Sequence, residues 1–181
     1  MLLYSIFSLI VDTVASVVAG VFLLRFWMQA VRIRPPMSLA QFIYKLTDWL
    51  VHPLRKILPG FGGYDWASLT GAFLIAVVSM TIDVWLASQL SVQTILLMSL
   101  VRFLQWIFYG LMGLIFIEVI LSWVNPHAPL APFVRALNQP LLHPLRRVIP
   151  TIGNVDLSPL VLLLILRIAL QLISALLSPL G

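Results

Sequence analysis

Residues 143–160, HPLRRVIPTIGNVDLSPL, restate residues 52–69, HPLRKILPGFGGYDWASL, at a constant shift of 91 positions without a gap. Eight positions are identical under that shift: His52 and His143, Pro53 and Pro144, Leu54 and Leu145, Arg55 and Arg146, Pro59 and Pro150, Gly62 and Gly153, Asp65 and Asp156, Leu69 and Leu160. Self-similarity over this length predicts two tandem copies of one unit, so any fold assigned to one half must also suit the other. Composition narrows the choice further. The chain is 61% hydrophobic and 9% charged, with mean hydropathy +1.07, against about 25% charged residues in an average soluble domain. Such a chain needs hydrocarbon as its solvent. It has no cysteine, which excludes disulfide frameworks, thiolate metal sites and cysteine nucleophiles. The net charge of +5 reads as a set of topology signals rather than a phosphate-binding face, so no nucleic-acid partner is expected.

Four membrane crossings are predicted, over residues 4–31, 66–90, 94–124 and 157–180, each at or above the roughly 20 residues a helix needs to cross a bilayer. The first has an uncharged lead-in from Met1 to Val11, unlike the basic start of a secretory signal, and is read as a retained span. Along it Ala15 and Ala19, and Ser16 and Gly20, recur at a spacing that lets a second helix approach closely. Arg32, Arg34, Pro35 and Pro36 end it, because proline lacks an amide hydrogen and restricts the residue before it. Ser38 with Gln41 reads as a capping box. Leu39, Phe42, Ile43, Leu46, Trp49 and Leu50 then follow at helical spacing, which predicts an amphipathic helix in the interface. A shorter, poorer pattern over 133–142 predicts its counterpart. Pro53 and Pro144 read as helix starts, and Pro59 and Pro150 as stops.

The expected fold is therefore an all-α membrane protein: four transmembrane helices as two tandem parallel repeats, each helix, basic loop with interfacial amphipathic helix, helix. The first repeat covers residues 1–90 with its loop at 32–65, and the second 91–181 with its loop at 125–156. Of the 11 Lys and Arg residues, Arg32, Arg34, Lys45, Arg55 and Lys56 lie in the first loop and Arg135, Arg146 and Arg147 in the second. The positive-inside rule places both loops in the cytoplasm and both termini outside. Two repeats of like orientation are related by an axis along the membrane normal.

Six ionisable residues fall within the predicted crossings, where charges are paired or functional. At about 1.5 Å per residue, Arg25, Glu118 and Arg167 form an inner group nearer the loops, and Asp12, Asp83 and Arg102 an outer one. Each group reads either as an ion-pair network that fixes helix neighbours or as part of an ion route. Asp65 and Asp156 read as N-caps of the second and fourth crossings. The pairs Arg55-Lys56 and Arg146-Arg147 read either as contacts to anionic headgroups or as a docking surface for a partner. His52 and His143 are equivalent between copies. They read as interface residues, or as a histidine pair for haem or metal, without further ligands at metal spacing. No G-x-x-x-x-G-K-[ST], H-E-x-x-H or G-x-S-x-G run occurs, and neither an enzyme nor a cofactor is expected.

The P-L-R-[RK]-x-[IL]-P core, followed by glycine and then by Asp156-Leu157-Ser158 in the second copy, closely resembles the YggT family of bacterial integral membrane proteins, also found in chloroplasts. The first copy departs from it with Asp65-Trp66-Ala67 before Ser68. The resemblance implies a small multi-pass protein of the bacterial inner membrane, linked in bacteria to osmotic-shock tolerance and in chloroplasts to assembly of a b-type cytochrome and to nucleoid or envelope organisation. Two functions follow as expectations. One is a non-enzymatic scaffold or assembly factor whose basic loops dock a membrane-protein partner or anionic lipid, alone or as a homo-oligomer. The other is an ion-homeostasis protein using the intramembrane charges.

Overall fold

The computed structural model describes residues 2–58, 60, 62–86, 91–149 and 156–177. Among these there are six helices and no strand. α1 (Leu2–Ala30), α3 (Trp66–Leu86), α4 (Val92–Val124) and α6 (Ser158–Leu177) are long and apolar enough to cross a membrane. α2 (Met37–Ile57) and α5 (Ala131–Val148) stand between the members of each pair. The protein is thus an all-α multi-pass membrane protein. α3 and α6, with 21 and 20 residues, match a hydrocarbon core of about 30 Å at about 1.5 Å per residue. α1 and α4, with 29 and 33, exceed it. α4 begins at Val92, inside the stretch read from sequence as a connection. The outer ends predicted for the second and fourth crossings lie outside the described residues, as do Pro59, Pro150 and Gly153.

α1 ends in a Schellman turn: the Ile33 amide donates to the Met28 carbonyl at 2.9 Å and the Arg32 amide to the Gln29 carbonyl at 3.0 Å. Arg32 holds the left-handed position of that turn, φ 60°, where glycine is usual because a Cβ there crowds the backbone.

α2 and α5 correct the sequence reading in three respects. The capping box does not form: Pro36 is the N-cap of α2, no side chain caps it, and Ser38 lies within the helix. Pro53 and Pro144 are not starts, since α2 runs through Pro53 and α5 through Pro140 and Pro144. All three prolines are on exposed positions, where the carbonyl each leaves unpaired can meet solvent or headgroups. Finally, the second amphipathic helix is longer than residues 133–142 and just as one-sided, burying Phe133, Val134, Leu137, Asn138 and Leu142. The outer faces differ. α2 exposes Phe42, Leu46, Trp49 and Ile57, whereas Val148 is the only large apolar side chain that α5 exposes. The apolar rim of α2 suits a helix bedded at a lipid surface.

The spans pack through small residues. Ala15 and Ala19 of α1 and Ala72 and Ala76 of α3 are buried, which lets the two backbones approach where lipid supplies no hydrophobic drive. A Cβ added at Gly71 would stand 2.6 Å from the fully buried ring of Phe22. Gly71→Ala is expected to lower the unfolding free energy by about 1–3 kcal/mol, read by thermal unfolding in mild detergent. Phe22→Leu in the same chain should recover part of the loss, and an unchanged melting point for Gly71→Ala would contradict this packing. α4 lies against both α1 and α3, and α6 leans on α4 and α5. The core crosses the midpoint of the chain: Met28 and Ile43 pack with Phe133, Val134 and Leu137, and the Trp27 indole donates to the Leu137 carbonyl at 3.0 Å.

Candidate functional site

Charged side chains gather at two levels of the helix bundle. At the loop end of the first half, Arg55 closes α2 and donates Nη2 and Nε to the Asp65 carboxylate at 2.7 and 3.3 Å. Asp65 stands immediately before α3 and is 3% exposed. It also accepts the Ser68 hydroxyl at 2.6 Å and the Ser68 amide at 3.4 Å, so the cap expected at this position forms. Arg25 of α1, 5% exposed, reaches the same group: its Nε lies 3.4 Å from Asp65, while Nη1 donates to Asp48 at 2.7 Å and to the Thr47 hydroxyl. The Arg25 guanidinium also stands 4.9 Å from the centre of the Tyr44 ring, within cation–π range. Burial alone would push the Asp65 carboxyl up; the hydrogen bonds from Arg55 and Ser68 and the charges of Arg55 and Arg25 outweigh it and hold the group below the ordinary carboxylate range.

The second half repeats this clamp with one sign reversed. Arg146 donates Nε to Asp156 at 2.7 Å, the same ten-residue separation as Arg55 and Asp65, and Asp156 accepts the Ser158 amide at 2.9 Å as the cap of α6. The Asp156 carboxyl is likewise held low: burial opposes this, and the hydrogen bonds from Arg146 and Ser158 prevail. Where the first clamp takes an arginine from the preceding span, this one takes an acid: Glu118 of α4, 7% exposed, accepts Arg146 Nη2 at 3.0 Å.

The outer group assembles as the depths imply. Arg102 of α4 donates to Asp12 of α1, to Asp83 of α3 at 2.8 Å and to the Ser79 hydroxyl at 2.9 Å. Ser8 donates to Asp83 at 2.8 Å and Ser79 to Asp12 at 3.1 Å. One guanidinium therefore ties three spans together.

The inner group does not assemble. Arg25 belongs to the first clamp and Glu118 to the second, while Arg167 lies on the exposed side of α6 with no ion pair among the described residues. Equal depth placed the three together, but their helix faces point to different neighbours. The basic pairs also divide. Arg55 and Arg146 are committed to Asp65 and Asp156, whereas Lys56 and Arg147 are exposed and unpaired among the described residues. His52 and His143 are exposed on α2 and α5, and no group of three or more potential metal ligands occurs among the described residues.

The two clamps rest on the residues that repeat along the chain, and comparison with known sequences matches the chain in two segments. The profile of the CCB3/YggT family matches residues 4–86 and again residues 97–177. The chain belongs to the CCB3/YggT family. Among similar proteins, an uncharacterized protein of Pseudomonas aeruginosa is 38% identical over 169 residues, covering 88% of this chain and 83% of its own length. An uncharacterized protein encoded in the proC 3' region of Vibrio alginolyticus is 32% identical over 95% of both chains. The uncharacterized protein YggT of Escherichia coli is 30% identical over 171 residues, covering 89% of this chain and 85% of that one. No solved structure matches.

Thr47, Asp48, Ser79, Ser8 and Tyr44 escaped the reading by sequence, because nothing in their spacing marks them as partners of arginines one helix away. The clamps themselves left a signal. Arginine and aspartate ten residues apart, identical in both copies, predict a tie between the end of one helix and the start of the next.

Proposed function

We propose that this YggT-family chain is a non-enzymatic scaffold of the bacterial inner membrane, with its basic loops in the cytoplasm and both termini in the periplasm. It holds a transmembrane helix of another protein against α6. The observation that carries this reading is Arg167. It lies ten residues into the 20-residue α6, about 15 Å from either end, too deep for its side chain to reach the interface. Charges at such depth face partners or a bundle interior, yet Arg167 faces outward. All six carboxylates, Asp12, Asp48, Asp65, Asp83, Glu118 and Asp156, already stand in ion pairs. A second copy of this chain therefore brings no spare acid, and the complementary partner is a different helix with a carboxylate at mid-depth. Lys56 and Arg147 add exposed cations on the cytoplasmic side, where such a partner's loops or anionic headgroups can meet them. The ion-route alternative draws less support, because Arg102 spends its bonds on Asp12, Ser79 and Asp83 and Arg25 its bonds within the first clamp.

The test uses a leucine-rich transmembrane peptide with one central glutamate, reconstituted with the full chain in vesicles. Since the chain has no cysteine, a dye at Ile168→Cys reports proximity by energy transfer. The glutamate peptide should associate about tenfold more tightly than its all-leucine counterpart, as one buried charge pair allows, and Arg167→Leu should abolish the preference. Equal association of both peptides, or a preference that survives Arg167→Leu, would remove the support for docking at α6.

A further inference from the structure

Where α1 leaves the membrane, a cavity of about 620 Å³ opens between its last turn, the Arg32 to Pro35 segment and the polar face of α2. Its cations are Arg25, Arg32, Arg34 and Arg55, with Tyr44 and His52 beside them and Asp48 the one carboxylate on its wall. Asp48 and, behind it, Asp65 neutralise two of the four guanidiniums through the first clamp. Two positive charges remain, and neither Arg32 nor Arg34 has an ion-pair partner among the described residues. The buried Arg25 Nε faces Asp65 at 3.4 Å as an ion pair without a hydrogen bond. Arg32 carries a conformational cost. It occupies the left-handed position of the Schellman turn, which a side chain tolerates at about 1 kcal/mol or more and which glycine would fill freely. A strained arginine and two unneutralised cations converge on one cavity of the size that ordinary small ligands occupy.

We propose that this cavity binds a phosphate ester, its anionic oxygens taken by Arg32 and Arg34 at the mouth and by Arg25 at the floor. Planar guanidinium forks match phosphate geometry. Arg25 lies five residues before the end of α1, about 7.5 Å below it, which puts the floor near headgroup depth. The same chemistry is offered by an anionic phospholipid headgroup and by a soluble phosphate ester, and the experiment separates them. The inference rests on reading the basic loops as a docking face, but it does not depend on the helix partner of α6, so vesicle-based docking at Arg167 and anion binding here can fail independently.

The full chain in neutral detergent is titrated calorimetrically, at fixed ionic strength, with short-chain phosphatidylglycerol, with phosphatidylcholine of the same chain length and with glycerol phosphate. One saturable site for phosphatidylglycerol is expected. Arg32→Gly with Arg34→Gln should weaken it about a hundredfold, near tenfold for each charge-assisted bond, while Arg135→Gln with Lys45→Gln, two exposed cations away from the cavity wall, leaves it unchanged. Arg32→Gly alone tests folding apart from binding: relieved of the left-handed strain, the variant should melt no lower than the parent and still lose about tenfold in affinity. If glycerol phosphate binds as well as the lipid, the site is one for soluble esters; if only phosphatidylglycerol binds, it reads a headgroup; either supports the site. Equal binding of phosphatidylcholine, no saturable binding of any probe, or equal losses from the two pairs of substitutions would overturn it.

Discussion

Arg102→Leu lowers the unfolding free energy by about 3–5 kcal/mol, the largest effect expected of any substitution in the spans. The cost comes less from the bonds lost than from what they leave behind. Asp12 and Asp83 face the same guanidinium from α1 and α3; without it two carboxylates share a site inside the membrane, and neither can neutralise the other. Ser8 and Ser79 still donate to them, but a hydroxyl does not cancel a charge. The triple variant Arg102→Leu, Asp12→Asn, Asp83→Asn should therefore recover most of the loss, since both amides can keep the serine bonds. Thermal or denaturant unfolding in mild detergent, followed by tryptophan fluorescence, measures all three proteins. A single variant within about 1 kcal/mol of the parent, the range of an exposed pair, would mean that the cluster is solvated rather than sealed between helices.

Asp65→Asn is next, at about 3 kcal/mol near neutral pH, because it leaves Arg25 buried with only Asp48 as counter-charge and removes the two-pronged bond from Arg55. Its signature is a pH dependence. The folded-state carboxyl titrates below its ordinary value, which is about 3.9 in an unfolded chain. Its contribution is thus complete above about pH 4 and disappears as pH falls through the lower, folded value. The difference in stability between parent and Asp65→Asn should be constant from neutral pH to about pH 5 and shrink steadily below that. Asp156→Asn should follow the same course with a smaller amplitude, since that carboxylate is about one-third exposed. A difference that persists unchanged at pH 3 would show that shape, and not charge, holds Arg55 to α3.

The spans and their order were legible because hydropathy and length decide them, and Ala15 with Ala19 marked a buried stripe correctly. The outer charge group was legible too: depth along the spans gathered Asp12, Asp83 and Arg102, and depth sufficed because three adjoining helices surround one arginine. For Arg25, Glu118 and Arg167 depth was not enough, since azimuth decides partners and a one-dimensional reading cannot supply it. The prolines misled for a related reason. Pro53 and Pro144 break hydrogen bonds wherever they occur, but their cost depends on which face the freed carbonyl meets, and that face belongs to the tertiary structure. Thr47 and Asn138, both fully buried and equivalent under the repeat, looked like ordinary polar residues of amphipathic helices. Each instead serves another helix, Thr47 accepting from Arg25 and Asn138 donating to the Leu114 carbonyl at 2.9 Å.

The bond from Trp27 to Leu137, and the joint burial of Met28 and Ile43 with Phe133, Val134 and Leu137, bear on whether the two halves can stand apart. A protein made of the first half alone would leave Met28 and Ile43 uncovered at the very level where its clamp closes, and could hide them only against a second molecule. Each half thus supplies the other's cover, and the chain is expected to come apart as one cooperative unit rather than half by half.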